Sequence, residues 1–547
     1  MRQLLGFTLC SAPMHLPVLP IRFRLSTLML LAGAAVLLLL RRPAQSLMDH
    51  DEGYYAQQAR WILETGDWLT VPWWEPIYDR TIGLQWLIAS SYALFGVREG
   101  TARLPSTLAS LGAIWLIYQI GRHCIGDRRA WWGAAILAVT PVWVQASRLA
   151  TQDIPLVCVE LFGLWALLQV EDHPKHRWQW GIAAGSSVGL AFLIKGFMAV
   201  LPVVAIMPYL VFTQRQQRHL TNPGLYGGLL LGCLPPGLWL GLSVNQYGWL
   251  PLEQLFGKLL HLSGEYVYAT TPLYYLWNIP ANGFPWPLFA LAGLVLAFKQ
   301  RTISRPWLFL GYPLILLLEL AYFDTRTWYY PLQIYPFLAL WAAVALVHLA
   351  KLYGQRDKSH RHLPLGLSYG LMGLALLLLI AGAVVVTMPE KLGDATLRPY
   401  GLLGLAGGVG WLLPGCISWR DRRSWPPRPE LWLTGWLLGP GLILATLGLT
   451  GLWGNYAADL KAALQAPAVE QVLHNEPVYF VFTGSGTAEK TPILLTYYTP
   501  HPGERLDDLT HIPSRGYAWV DPKVELPLPA GYTQIGAARD WRLVQAP

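Results

Sequence analysis

Runs of apolar residues of bilayer-spanning length recur along most of this 547-residue chain, separated by short polar connections. A helix needs about 20 predominantly apolar residues to cross a membrane. The pattern predicts about thirteen spans, at 25–41, 103–121, 131–147, 154–170, 178–194, 197–213, 225–243, 273–298, 306–322, 329–350, 365–388, 401–418 and 431–453. Two connections are long. In the first, residues 42–102, Glu52 to Glu64 reads as an amphipathic helix, and 82–96 is apolar but short for a span, which predicts a helix lying at the interface. The second runs from about 244 to 272. From about Asn455 the pattern changes: Tyr456 to Leu473 suits an amphipathic helix, while Pro477 to Phe482, Tyr517 to Asp521 and, more weakly, Tyr532 to Ile535 suit strands. The expected architecture is an α-helical polytopic membrane unit over 1–453 followed by a small α/β domain over 454–547.

Composition agrees with that division. The chain is 54% hydrophobic and 13% charged, where soluble domains carry about 25% charged residues. The net charge of +8 is scattered between spans. It reads as loop charge that sets orientation, and it excludes a nucleic-acid-binding face. With the N-terminus inside, alternate loops carry Arg122, Arg128 and Arg129; Lys175 and Arg177; Arg215 and Arg218; Lys299, Arg301 and Arg305; Lys351, Arg356, Lys358 and Arg361; and Arg420, Arg422, Arg423 and Arg428. The opposite loops are poorer in Lys and Arg, so one orientation satisfies every short loop. An odd number of spans then puts the C-terminal domain outside a cytoplasmic (inner) membrane. Arg41-Arg42-Pro43 after the first apolar run is not a signal-peptide cleavage site, which predicts an uncleaved first span. The five cysteines show no metal-ligand spacing, and none falls in the C-terminal segment. Gly484-Ser485-Gly486 lacks the Lys-Ser/Thr of a phosphate loop and reads as a turn.

The chemistry-bearing residues gather on the outer face. Asp49, Asp51 and Glu52 crowd the exit of the first span. Acids there suit a capped helix start, and equally a carboxylate base or a cation site. Asp49-x-Asp51 is also a short D-x-D pattern. Asp79-Arg80-Thr81 precedes the interfacial segment; Arg80 could snorkel to head groups or hold a lipid phosphate by a bidentate contact. Asp153 follows the third span and Lys195 marks the bend between the fifth and sixth. A lysine at the bilayer centre would cost about 2.5–3.5 kcal/mol; at the outer boundary it either snorkels or binds an anion. Arg326, Tyr329 and Tyr330 stand at the entrance to a later span, where aromatics also form the interfacial belt. Acids and cations on one face suit a phosphorylated lipid headgroup and a carboxylate base.

In order along residues 47–350, Asp51-Glu52-Gly53-Tyr54-Tyr55-Ala56, Glu64-Thr65-Gly66-Asp67-Trp68, Ala102-Arg103-Leu104-Pro105-Ser106, Ser147 to Asp153, Gly189 to Gly196 and Tyr329 to Pro336 resemble the ArnT-like and protein O-mannosyltransferase-like glycosyltransferases of GT-C fold. The resemblance implies a sugar transferred with inversion from a polyprenyl-phosphate-linked donor, on the outer face of the membrane, to a glycolipid such as lipid A, a protein or an envelope polymer. It implies Asp51 as the catalytic base and Asp153 in a supporting role. Lys195 becomes a phosphate contact and Tyr329 and Tyr330 line the lipid-phosphate pocket; Arg80 and Arg326 supply further cations, and Asp49, Glu52 and Asp79 support. Many relatives carry Glu-Lys-Pro where this chain has Asp79-Arg80-Thr81, and Arg and Lys differ in geometry. Some relatives have a metal-binding histidine before a Pro-x-Tyr-Tyr segment; Tyr268 to Tyr275 here holds none, and His261 lies further back. No cofactor is implied, and a divalent metal stays an open question. Membrane lipids are the other expected partners. A transporter or flippase of lipid-linked sugars would show an internal repeat and mid-membrane polar groups, and no such repeat is evident; a polymerase of lipid-linked sugars is the neighbouring alternative.

Overall fold

The computed structural model describes residues 21–41, 45–264, 271, 273–300, 303–355, 358–390, 394–422, 426–482, 490–524 and 528–547. It is a bundle of helices carrying one five-stranded sheet at its C-terminal end. Among the described residues eight helical runs are long and apolar enough to cross a membrane, or nine if Tyr274–Gly283 and Trp286–Lys299, bent by 113°, form one span. That measure does not reach the expected thirteen. The remaining expected spans coincide with shorter or interrupted helices. Residues 131–147 split into Asp127–Ala138 and Pro141–Ser147, because Pro141 has no N–H to give and forces Thr140 to an extended conformation. Ile21–Leu39 and Trp307–Tyr322 have apolar stretches below 18 residues.

One of the eight runs, Pro174–Phe212, is two helices. Straight, its 39 residues would extend about 58 Å. Yet Arg177 near its start donates to the carbonyl of Arg218 beyond its end, at 2.9 Å. The chain therefore doubles back, and it does so at Gly196, whose φ of 58° suits glycine. The connections predicted to lie inside are tied together at one end of the bundle: Arg305 grips Glu171 (2.7 Å) and the carbonyl of His123 (2.9 Å), and Arg128 pairs with Glu430 (2.6 Å). Those predicted outside meet at the other end, in the site described below.

Helices Arg177–Lys195 and Pro223–Tyr247 pack through glycine. Gly181, Gly185 and Gly189, spaced by four on one helix, face Gly224, Gly228 and Gly232 on the other. A Cβ on Gly189 would stand 2.0 Å from the Gly232 carbonyl oxygen, and one on Gly185 2.1 Å from that of Leu225. The backbones touch, as small-xxx-small seams allow where lipid supplies no hydrophobic drive. Tyr335–Tyr353 is the most enclosed helix, 78% buried, whereas His362–Thr387 is only 11% buried and turns apolar side chains outward.

In the first long connection, helix Asp51–Thr65 packs on helix Gly83–Phe95, which exposes Leu87, Leu94 and Phe95 as an interfacial helix would. Glu52 and Arg103, both fully buried, form a two-pronged pair (2.6 and 2.8 Å), and Arg103 also donates to the carbonyls of Gln45, Ser46 and Gly454. Removing one partner strands a buried charge, at a cost of about 3–5 kcal/mol. Arg103→Met should therefore sharply lower the thermal transition of the detergent-solubilised protein; an unchanged transition would refute the clamp.

The C-terminal sheet comprises β1 (Val478–Val481), β2 (Pro502–Leu506), β3 (Tyr517–Val520), β4 (Thr533–Ala538) and β5 (Trp541–Gln545), in the order β2-β1-β3-β5-β4. β1 pairs in parallel with β2 and β3; β5 is antiparallel to β3 and β4. The expected helix from Tyr456 to Leu473 is broken into Ala458–Leu464 and Pro467–Asn475, since Pro467 can start a helix but not continue one. Helix Lys490–Tyr498, β2 and β5 were not expected from the pattern. Gly484-Ser485-Gly486 lies outside the described residues. The sheet is fastened to the membrane unit: Arg60 donates to the carbonyls of Tyr497, Thr499 and Pro500 (2.6–3.0 Å), capping helix Lys490–Tyr498 with a cation.

Candidate functional site

Helix ends deliver the charged groups. Asp51 is the first residue of helix Asp51–Thr65 and Asp153 of helix Asp153–Asp172, where the helix dipole favours an anion. Lys195 is the last residue of helix Arg177–Lys195, where it favours a cation. The helices of Asp153 and Lys195 are joined by the short 173–176 connection, so they run antiparallel, and these two ends lie side by side.

These ends meet Arg80, the 325–330 segment and helix Leu250–Gly264 around a cavity of about 920 Å³. That lies at the upper end of ordinary ligand pockets and leaves room for two substrate groups. Its charged lining is Asp51, Asp79 and Asp153 against Arg80, Lys195, Lys258 and Arg326, with His50 beside them. Every carboxylate has a cation. Arg80 reaches Asp51 Oδ1 at 2.8 Å, Lys258 reaches Asp79 Oδ2 at 2.9 Å, and Lys195 is bonded to Asp153. Aromatic faces steady the cations: Arg80 lies over Tyr54 and Tyr55 (4.9 and 5.1 Å), and Lys195 over Tyr329 and Tyr330 (4.9 and 5.5 Å). Arg326 is nearly buried and donates to the carbonyls of Ala321 (2.8 Å) and Asp324 (3.3 Å).

Burial pushes the Asp51 carboxyl upward, but the His50 hydrogen bond and the charges of Arg80 and Lys195 outweigh it and hold the group well below the usual range. Asp79 is likewise lowered, burial being overcome by Arg80 and Lys258. Burial and the nearby Arg80 bring the Lys258 ammonium down despite Asp79. Away from the charges the cavity is apolar, with Phe197, Met198, Leu201, Leu320 and Phe323. Beyond them, helices Val200–Phe212 and Trp307–Tyr322 expose Val204, Met207, Leu318 and Tyr322.

Eight of the ten residues singled out in the sequence as catalytic, phosphate-contacting or supporting line the cavity: Asp51, Asp79, Arg80, Asp153, Lys195, Arg326, Tyr329 and Tyr330. Asp49 and Glu52 do not. Glu52 is locked to Arg103. Asp49 accepts from Arg539 at 2.7 Å, and Arg539, at the tip of the β4–β5 hairpin, also holds Asp459 at 2.7 Å. The D-x-D pattern is thus divided between two partners. Between them His50 adopts φ 71° and ψ −111°, a strained conformation that its clamped neighbours maintain. His50, Tyr54, Tyr55, Gln152 and Lys258 also line the site, and sequence reasoning missed them. Among the described residues no three His, Cys, Asp or Glu side chains gather as a metal-ligand set.

The family described as dolichyl-phosphate-mannose-protein mannosyltransferase matches residues 79–239. The undecaprenyl phosphate-alpha-4-amino-4-deoxy-L-arabinose arabinosyl transferase 2 of Pseudomonas fluorescens is 26% identical over 430 residues, covering 76% of this chain and 71% of that protein. The corresponding transferase of Pseudomonas aeruginosa is 28% identical over 393 residues, covering 69% of this chain and 68% of that one. In fold, ArnT from Cupriavidus metallidurans bound to undecaprenyl phosphate matches with a TM-score of 0.71 at 20% identity, over 95% of this chain and 98% of that one. The oligosaccharyltransferase of Archaeoglobus fulgidus in the apo form matches with a TM-score of 0.53 at 14% identity, over 87% and 64%.

Proposed function

We propose that the chain is a multi-pass membrane glycosyltransferase of the ArnT-like, GT-C type, a reading supported by its likeness to those transferases in sequence and fold, and that it moves a sugar from a polyprenyl-phosphate donor to an acceptor at the outer face of the inner membrane, with inversion and with Asp51 as base. The acceptor is a glycolipid, a protein or an envelope polymer. The N-terminus is cytoplasmic, and the 454–547 segment lies outside as its own domain. The observation that carries the reading is the neutralised cavity: its three carboxylates are each paired with a cation that an incoming phosphate would compete for. Its lining carries four cations against three carboxylates.

The donor's phosphate takes Arg80 and Lys195, with Tyr329 and Tyr330 beside it and Arg326 behind. The polyprenyl tail leaves along the apolar wall. Losing Arg80 unmasks Asp51, whose Oδ2 has no hydrogen-bond partner among the described residues. Asp51 takes the acceptor's proton as the acceptor oxygen or nitrogen attacks the anomeric carbon opposite the phosphate. The new bond forms, the anomeric C–O bond breaks, and its electron pair leaves with polyprenyl phosphate. The second negative charge that develops there is met by preorganised cations. Asp153 keeps Lys195 in place before and after the transfer.

Lys195→Ala should weaken binding of undecaprenyl phosphate to the purified protein in nanodiscs by roughly 10- to 100-fold, the worth of a charged hydrogen bond of about 1.5–3 kcal/mol. Native mass spectrometry reads this directly. Wild-type affinity in the variant would overturn the phosphate site.

A further inference from the structure

We propose that His50 is a positioning residue for the base: its ring holds one carboxylate oxygen of Asp51 and leaves the other open to the acceptor. The inference rests on the reading that Asp51 takes the acceptor's proton. His50 stands at the N-cap of helix Asp51–Thr65, just before its first turn. Ser, Thr, Asp, Asn and Gly are favoured there, the first four because their side chains accept from a backbone N–H of that turn. The His50 side chain makes no such capping bond. Its backbone, at φ 71° and ψ −111°, suits glycine far better than a residue with a side chain. For the helix alone, asparagine would cap better and glycine would sit with less strain. A strained residue whose side chain does nothing for its own helix points to a task in the neighbouring site.

The ring shows that task. It lines the cavity, and its Nδ1 lies 3.3 Å from Asp51 Oδ1. An ionised carboxylate only accepts hydrogen bonds, so Nδ1 carries the proton of this pair. The turn that holds the ring is fixed from both sides. Met48 N–H donates to Glu52 Oε2 (2.7 Å), Gly53 N–H to the Met48 carbonyl (3.0 Å) and Tyr54 N–H to the His50 carbonyl (2.8 Å), while Arg539 holds Asp49.

Arg80 is the other partner of Asp51, at 2.8 Å from the same Oδ1. It is also the cation that the donor phosphate claims. Once Arg80 turns to the phosphate, His50 is the remaining hydrogen-bond donor to Asp51 among the described residues. Without that donor the carboxylate is free to rotate as the acceptor arrives, and a reacting group misplaced by about 1 Å can cost about 10²-fold in rate. With it, Oδ1 stays tied and Oδ2 is the oxygen that meets the acceptor.

The test compares full-length His50→Gly and His50→Asn with wild type and Asp51→Asn. The His50 side chain is 43% exposed, so its loss leaves no sealed void. Glycine removes the ring and relieves the backbone; asparagine returns a side-chain N–H close to the ring nitrogen and tolerates positive φ. Three quantities are read: the thermal transition of the solubilised protein, the affinity for undecaprenyl phosphate in nanodiscs, and the initial rate at which the glycan lost from Asp51→Asn cells appears once expression is induced. His50→Gly should keep or raise the thermal transition, bind undecaprenyl phosphate within about 2-fold of wild type and form the glycan about 10- to 100-fold more slowly. His50→Asn should recover the rate to within about 3-fold of wild type. The proposal is overturned if His50→Gly keeps the wild-type rate, if asparagine is no better than glycine, or if the slower rate comes with an equal loss of binding or a lowered thermal transition. If Asp51→Asn cells lose no glycan, the reading of Asp51 as base fails, and the role of His50 with it.

Discussion

Asp51→Asn is expected to abolish glycosyl transfer, lowering kcat by about 10²–10⁴-fold, while undecaprenyl phosphate still binds. Asparagine keeps the shape and a hydrogen bond to Arg80 but cannot take a proton. Mass spectrometry of envelope lipids and glycoproteins from cells carrying each form would name sugar and acceptor together, by the glycan that disappears. Full turnover in the variant would sink the assignment of the base. The pH dependence gives a second, signed test. In the free protein His50, Arg80 and Lys195 outweigh the effect of burial and hold Asp51 well below the usual range. It is ionised throughout pH 5–8, so kcat/KM, which reports the free enzyme, should show no acid limb from Asp51 there. When donor phosphate draws Arg80 away, the charged form loses its main cation and the pKa rises. The acid limb of kcat, which reports the bound state, should therefore lie at higher pH than that of kcat/KM.

Gly189→Ala is expected to be as damaging as the loss of the base, through folding instead of chemistry. The added methyl would sit 2.0 Å from the Gly232 carbonyl oxygen, which is backbone and has no rotamer to yield. The two helices would have to part along their whole seam, well beyond the 1–3 kcal/mol or so of ordinary overpacking. The Lys195 end of one helix would shift with them, taking a cavity cation out of place. The expected result is a fall of roughly tenfold or more in monodisperse protein after solubilisation. Gly227→Ala, on the same second helix but with nothing within 4 Å of its added methyl, is the control: it should be neutral or slightly stabilising, since alanine favours helix over glycine by about 1 kcal/mol. Normal yield and thermal transition in Gly189→Ala would refute the seam.

Much of this arrangement was legible because membrane insertion leaves strong marks. Charges such as Asp153 and Lys195 stand out against apolar runs, and alternating loop arginines indicated which of them share a face. What the linear pattern hides is direction. Asp51 and Glu52 are neighbours, yet a helix turns about 100° between them; one faces the cavity and the other is buried against Arg103. Nothing in the sequence singled out Lys258, and only the fold of the second long connection carries it to Asp79. In the C-terminal part, β2 contains Pro502 and Gly503, which argue against a strand, but it lies at the sheet edge, where proline is tolerated. The span count was less legible, because Pro141 and the 113° bend after Gly283 interrupt segments that read as continuous.

The bond between Arg539 and Asp49 joins residues 490 positions apart. At roughly 5–20 residues per second, a ribosome needs about half a minute to a minute and a half to make the chain between them. Throughout that time the turn that presents Asp51 exists without the guanidinium that holds it. The turn that presents Asp51 is therefore made well before the hairpin that fastens it.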